Sequence, residues 1–244
     1  MEYVWSLVLG ILQGFTEFLP VSSSGHLVLV QSLIPGFRQP GVLFDVCLHF
    51  GTLFAVLFFF RKKLFKLSFK YILYIAVATI PAVIVGYIFK DSISSLFSSV
   101  GVVGIALVIT GLINFLTSKQ KEEGKSLSYK KSLFIGLMQA FAIIPGISRS
   151  GSTIFAGTKS GLSSKDAAEF SFLMSVPAII GANILEVHSN WGESINYTSY
   201  FIGFLAAFIS GVLAIKIVLK FLQEKKFKVF AFYCLALGII TLLF

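Results

Sequence analysis

Residues 10–26 read GILQGFTEFLPVSSSGH, and residues 136–153 read GLMQAFAIIPGISRSGST. With Gln13 set against Gln139, Ser22-Ser23-Ser24-Gly25 falls on Ser148-Arg149-Ser150-Gly151 without a gap; only the proline slips by one position, Pro20 against Pro145. Both stretches lie inside strongly apolar sequence. Proline lacks a helix donor, glycine weakens the helix, and serine competes for backbone hydrogen bonds. The apolar runs 4–34 and 132–162 are therefore each broken in the middle, which predicts two half-length helices joined by a polar turn. At membrane depth such a turn is tolerated only under protein or a wet cavity, so each run reads as a re-entrant hairpin. Broken helices in matching places of two halves point to a binding site near the bilayer midplane.

The composition agrees: 56% of the 244 residues are hydrophobic, only 13% are charged, and 27 are phenylalanine. Soluble domains carry about twice that share of charge, so a polytopic membrane protein is indicated. The net charge of +9 would suggest nucleic acid in a soluble chain. Here it follows from lysine-rich cytoplasmic loops, and no nucleic-acid partner is expected. Cys47 and Cys234 sit in separate apolar runs, which argues against a disulfide framework or a cysteine metal site. The N-terminus lacks a basic region and a small-residue cleavage site, so no removable signal peptide is expected.

Six segments are long enough to span, at roughly 43–60, 71–89, 99–116, 167–185, 198–215 and 229–244. The expected fold is an all-α polytopic membrane protein with an inverted repeat, each half a re-entrant helical hairpin plus three transmembrane helices. Residues 1–117 form the first repeat, 118–131 a cytoplasmic linker and 132–244 the second repeat. Three spans per half turn the second copy upside down. Charge supports this: Arg61 to Lys70, Lys119 to Lys131 and Lys216 to Lys228 all fall on one side, which is then cytoplasmic. The segment from His188 to Tyr197 has no lysine or arginine and faces outward, as do both termini. The repeat extends beyond the motif, since Phe44 pairs with Phe170 at the same offset and Gly111 with Gly238 within one residue. A homodimer is compatible with this architecture.

Ionisable groups inside these segments carry the chemistry. Glu17 follows Gln13 by one helical turn, and a carboxylate there costs a few kcal/mol unless it serves a purpose. It reads as a general base or as a ligand for Mg2+ or Ca2+, with Gln13 beside it, because oxygen donors suit hard cations. Ser22, Ser23 and Ser24 exceed the needs of one helix cap, and His26 lies one turn beyond Ser23. Hydroxyl, imidazole and carboxylate make a set for nucleophile, base and orienter, with Ser23 or His26 able to attack phosphorus. Arg149 in an apolar stretch needs an anion. Its neighbours Gly146, Ser148, Ser150, Gly151 and Thr153 open a helix, a phosphate-binding arrangement that a guanidinium strengthens. The bland alternative is an intramembrane ion pair of Arg149 with Glu17 or Glu169. His49 reads as an interhelical hydrogen-bonding residue, Glu169 as an orienter of Arg149 or a helix cap, and Pro81 and Pro177 as kinks. A transporter or lipid flippase could use the same anion site, but would have no need of the Glu17–Ser23–His26 set.

QGFTEFLPVSSSGH, PGISRSGST and the following AAEFSFLMSVPAIIGA closely resemble the two signature regions of the bacterial undecaprenyl-diphosphate phosphatases, also known as the bacitracin-resistance family. The resemblance covers essentially the whole chain. It implies hydrolysis of undecaprenyl diphosphate to the monophosphate carrier used for peptidoglycan and other envelope polymers. It also implies a divalent cation, a location in the bacterial cell membrane and an active site opening to the periplasmic or external face. The family's acidic motif maps to Gln13 and Glu17, its serine-histidine motif to Ser22–His26, and its arginine motif to Pro145–Thr153. Gln13 stands where relatives can have glutamate, which leaves Glu17 as the carboxylate ligand.

Overall fold

A computed structural model describes residues 2–33, 42–97, 99–120, 123–189, 196–224 and 226–243. Among them all regular structure is helical: α1 Glu2–Phe18, α2 Ser23–Leu33, α3 Val42–Phe59, α4 Arg61–Leu64, α5 Phe69–Ile88, α6 Lys90–Leu96, α7 Val100–Thr117, α8 Tyr129–Phe141, α9 Arg149–Lys159, α10 Ser164–Ser189, α11 Tyr197–Gln223 and α12 Lys228–Leu243. Small polar residues set several starts. The side chains of Ser68, Ser99, Ser128, Ser148 and Asn196 each accept a backbone N–H of the first turn.

Four helical stretches are long and apolar enough to cross a membrane: Phe69–Ile88, Val100–Thr117, Ser164–Ile184 and Tyr197–Gln223. Two shorter apolar stretches, Leu43–Phe59 and Lys228–Leu243, accompany them. The chain is thus a multi-pass membrane protein. Large apolar side chains such as Ile84, Ile105, Leu112, Ile209 and Phe232 are exposed on its outside, as lipid contact requires. Helix α11 runs eight residues past the expected end at 215, because exposed Lys216 and Lys220 carry its last turns into water while Val218 and Leu222 stay buried. Pro81 and Pro177 both lie inside helices. Short helices α4 and α6 form where loops were expected, and the linker ends at Ser128 rather than 131 because Ser128 caps α8. The sequence readings on Lys121, Lys225 and residues 190–195, and on the His188 side chain, lie outside what is described.

Both polar motifs form helix–turn–helix units, α1–α2 and α8–α9, broken at residues 19–22 and 142–148. The first helix of each unit packs on a helix of the other half, α1 on α11 and α8 on α5. Residues at the 126-residue offset have the same role. A Cβ on Gly10 would lie 2.5 Å from the Gly203 carbonyl of α11, and one on Gly136 2.4 Å from the Ala78 carbonyl of α5. Such close backbone approach needs small residues, a common basis of helix association in lipid. Phe44 and Phe170 are both fully buried. Phe44 meets Tyr200 of α11 edge-on at 5.4 Å, and Phe170 meets Tyr71 of α5 edge-on at 5.7 Å. Helices α7 and α12 pack on one another, and α3 packs on α10. Helix α7 also packs on α9 and on α2, the second helices of the two units.

Candidate active site

Glu17 ends the last full turn of α1 and is buried. Its carboxylate collects three donors. Arg149 Nη2 meets Oε1 at 2.5 Å, while Ser23 Oγ donates to Oε2 at 2.7 Å and Gln13 Nε2 at 3.0 Å. The Glu17–Arg149 pair joins the two tips, with side-chain exposures of 7% and 17%. Arg149 spends its other terminal nitrogen on the Ser171 carbonyl of α10 at 3.3 Å. A buried pair is costly to break from one side, by about 3–5 kcal/mol, so it fixes the register of one tip against the other. The arginine, carboxylate and serine expected from sequence are therefore brought together. The intramembrane ion pair, the bland alternative to a phosphate site, is present too.

Several expected partners are placed differently. His26 makes no hydrogen bond with Ser23; its Nδ1 is 2.7 Å from the Ser22 carbonyl and its Nε2 2.7 Å from the Tyr233 hydroxyl of α12. The Ser23–His26 dyad expected from their spacing is thus absent, because the ring turns toward α12. Glu169 does not orient Arg149 but pairs with Lys63. His49, read as an interhelical residue, lies beside the site: Nδ1 donates to the Asp45 carbonyl at 2.8 Å and Nε2 is 3.9 Å from Glu17 Oε2.

The serines expected to cradle phosphate mostly lock the tips. Ser148 caps α9 by accepting from Gly151 N–H at 3.1 Å. Ser150 Oγ donates to the Leu19 carbonyl of the first tip at 3.1 Å. Thr153 Oγ1 donates to the Arg149 carbonyl at 2.8 Å and is 2.7 Å from Ser171 Oγ. Ser22 Oγ accepts from Gly25 N–H and lies 3.3 Å from Ser24 Oγ. Of the three serines in the first motif, Ser22 is buried, whereas Ser23 and Ser24 are partly open. Gly146 adopts φ +93°, and a Cβ there would press within 2.6 Å of Ala106 Cβ. Only glycine satisfies both demands, so its role is the turn itself.

Two residues of α7 were not singled out from sequence. Thr110 donates to the Gly146 carbonyl at 2.8 Å and accepts from Ser148 N–H at 3.0 Å. Asn114 Nδ2 donates to the Pro20 carbonyl at 2.5 Å. Proline's missing donor and the broken turns leave such carbonyls unsatisfied, and α7 supplies the partners that a dry interior requires. The available signal was an asparagine inside an apolar span.

As to a cation, no three His, Cys, Asp or Glu side chains group to hold a metal among the described residues. Gln13 Oε1, however, is buried without a hydrogen-bond partner next to the Glu17 carboxylate. One free amide oxygen and one carboxylate fit a hard cation that draws its other ligands from phosphate and water.

The family model described as bacitracin resistance protein BacA matches residues 6–240. An undecaprenyl-diphosphatase of Halothermothrix orenii is 42% identical over 255 residues, covering 100% of this chain and 98% of its own. One of Syntrophotalea carbinolica is 40% identical over 98% of this chain and 97% of its own. Undecaprenyl-diphosphatase 4 of Bacillus thuringiensis is 41% identical over 99% and 97%. A match over nearly all of both chains, together with the two broken-helix motifs at one site, makes this protein a member of the bacitracin resistance protein BacA family.

Proposed function

We propose that this chain is an integral membrane phosphatase that hydrolyses undecaprenyl diphosphate to undecaprenyl phosphate. It thereby recycles the lipid carrier for peptidoglycan and other envelope polymers and confers bacitracin resistance. The observation that carries this reading is a buried carboxylate, Glu17, holding the Ser23 hydroxyl on one oxygen and the Arg149 guanidinium on the other. A carrier needs charge complementarity but no hydroxyl aimed at a base. The relatives, named as diphosphatases over nearly the full chain, support hydrolysis and lend no support to the flippase reading.

In this reading Ser23 is the nucleophile and Glu17 its base. Ser23 Oγ attacks the terminal phosphorus, its proton passes to Glu17 Oε2, and the bridging P–O bond breaks to release the prenyl monophosphate. Water then attacks the phosphoserine. Glu17 returns its proton to the departing Ser23 oxygen, one water hydrogen leaves with inorganic phosphate as its hydroxyl, and the other goes to solvent. Arg149 exchanges Glu17 for the transferring phosphoryl group, whose charge its planar fork matches. The backbone at the start of α9, capped by Ser148, adds its positive end. Gln13 and Glu17 would hold Mg2+ or Ca2+, which neutralises diphosphate charge when bound. Direct attack by His26 is disfavoured, because both ring nitrogens are engaged elsewhere.

The architecture belongs to the same reading. The two halves, 1–117 and 132–244, form an inverted repeat of one re-entrant hairpin and three spans each, joined by a cytoplasmic linker. The contact of Gly10 with α11 matches that of Gly136 with α5, and that of Phe44 with Tyr200 matches that of Phe170 with Tyr71, which supports it. The lipid then approaches from the external leaflet of the bacterial cell membrane. The test is phosphate release by purified protein from a long-chain prenyl diphosphate, with and without chelator, against Ser23→Ala. No release by the native protein, or full release by Ser23→Ala, overturns the assignment.

A further inference from the structure

Among the described residues one non-glycine has a positive φ, Ser22 at +72°. An L side chain is strained there, and such strain persists only where the surroundings over-determine it. The second tip has its positive φ two residues before the counterpart Ser148, at Gly146, where glycine carries it without strain. The first tip must hold a serine in place, immediately before Ser23.

The holding contacts converge on the Ser22 carbonyl. It accepts from the His26 backbone N–H at 3.2 Å, and His26 Nδ1 lies 2.7 Å away. A carbonyl only accepts, so Nδ1 carries the proton. In the neutral ring Nε2 is then a bare acceptor, and the Tyr233 hydroxyl, 2.7 Å away, donates to it. The two rings lie nearly parallel, 8° apart, with centroids 5.6 Å apart. His26 is 5% exposed, whereas Tyr233, 207 residues further along the chain, is 46% exposed on α12. A histidine so engaged has no nitrogen left for Ser23.

We propose that His26 and Tyr233 form a strut from α12 to the first hairpin tip. It holds Ser22 in the left-handed conformation and so aims Ser23 Oγ at Glu17. His26 and Tyr233 are then positioning residues acting through the Ser22 carbonyl. The proposal rests on Ser23 being the nucleophile. If Ser22 leaves the left-handed region, the peptide preceding Ser23 rotates and the 2.7 Å contact with Glu17 is lost.

The test uses full-length protein in detergent. Tyr233→Phe keeps the ring stack and removes one hydroxyl. Its kcat is expected to fall about tenfold, the rate equivalent of one hydrogen bond, with KM unchanged. The 15N NMR signals of His26 are expected to change from one Nδ1–H tautomer to a mixture. Glycine adopts positive φ unaided, so in a Ser22→Gly background Tyr233→Phe should cost less than about twofold. Native kinetics with the tautomer kept in Tyr233→Phe overturns the strut. So does an equal cost of Tyr233→Phe in both backgrounds, which would make His26 a group acting on the reacting atoms. Ser23→Ala separates the two readings: turnover surviving that change removes the nucleophile, and with it the purpose of the strut, even where the tautomer shift is seen.

Discussion

Replacing Glu17 by glutamine tests the centre of the site most directly, because shape is kept and charge is lost. Three donors converge on this carboxylate, from Arg149 at 2.5 Å, Ser23 at 2.7 Å and Gln13 at 3.0 Å. Glutamine brings an NH2 group into that ring of donors, so one donor faces another. Arg149 is left buried without its counter-charge, and removing one partner of such a pair costs about 3–5 kcal/mol. The thermal midpoint in detergent should drop clearly. Turnover should also fall by about 10²–10⁴, the usual worth of a positioned base. The two losses separate in the double variant Glu17→Gln/Arg149→Met. Removing both charges takes away the uncompensated cation, so most of the stability returns. Activity does not. Thermal unfolding of purified protein and phosphate release from a prenyl diphosphate measure the two effects side by side. A Glu17→Gln protein with native midpoint and turnover within about twofold of native would refute the assignment of Glu17 as both base and anchor.

Arg149→Lys keeps the charge but not the fork, and should lower kcat by roughly 10³-fold with KM little changed; native values of both parameters would leave Arg149 a structural partner of Glu17. Gln13→Ala should raise the Mg2+ concentration needed for half-maximal activity, and chelator should stop native turnover. An unaltered metal titration would mean that the cation binds through the diphosphate alone. Single cysteines replacing Ser126 in the linker and Ser94 in α6, in a background lacking Cys47 and Cys234, should label from opposite sides of the membrane. Labelling of both from one side would exclude the inverted repeat.

The broken helices were legible because proline, glycine and serine act locally, and the breaks at 19–22 and 142–148 fall within the quoted motifs. Glu17 and Arg149 were legible because a charge at membrane depth demands a partner. What each serine does was not. A hydroxyl next to a phosphate and a hydroxyl next to a carbonyl look alike in sequence; Ser148 and Ser150 went to an N–H and a carbonyl at the breaks, and Thr153 bonds back to the Arg149 carbonyl within α9. His26 was assigned to Ser23 by helical spacing, but its ring is claimed by Tyr233 from the far end of the chain. Spacing within one helix carries no information about such a partner. The roles of Thr110 and Asn114 were not legible because their partners, the turn of each broken helix, come from other parts of the chain, and an otherwise apolar span gives no sign of them although both are buried.

The packing of α1 on α11 has a consequence for biosynthesis. Helix α1 is made before its seat, Gly203 to Gly211, which follows only after residues 19–196. At ordinary translation rates of about 5–20 residues per second the delay is about ten to forty seconds. Throughout it α1 has no groove, and for most of it Glu17 has no Arg149. A nascent hairpin with an unpaired carboxylate has reason to linger at the membrane surface or within the insertion machinery rather than settle in lipid. The active site is thus assembled only when α11 reaches the bilayer and the earlier-made α1 finds its place against it.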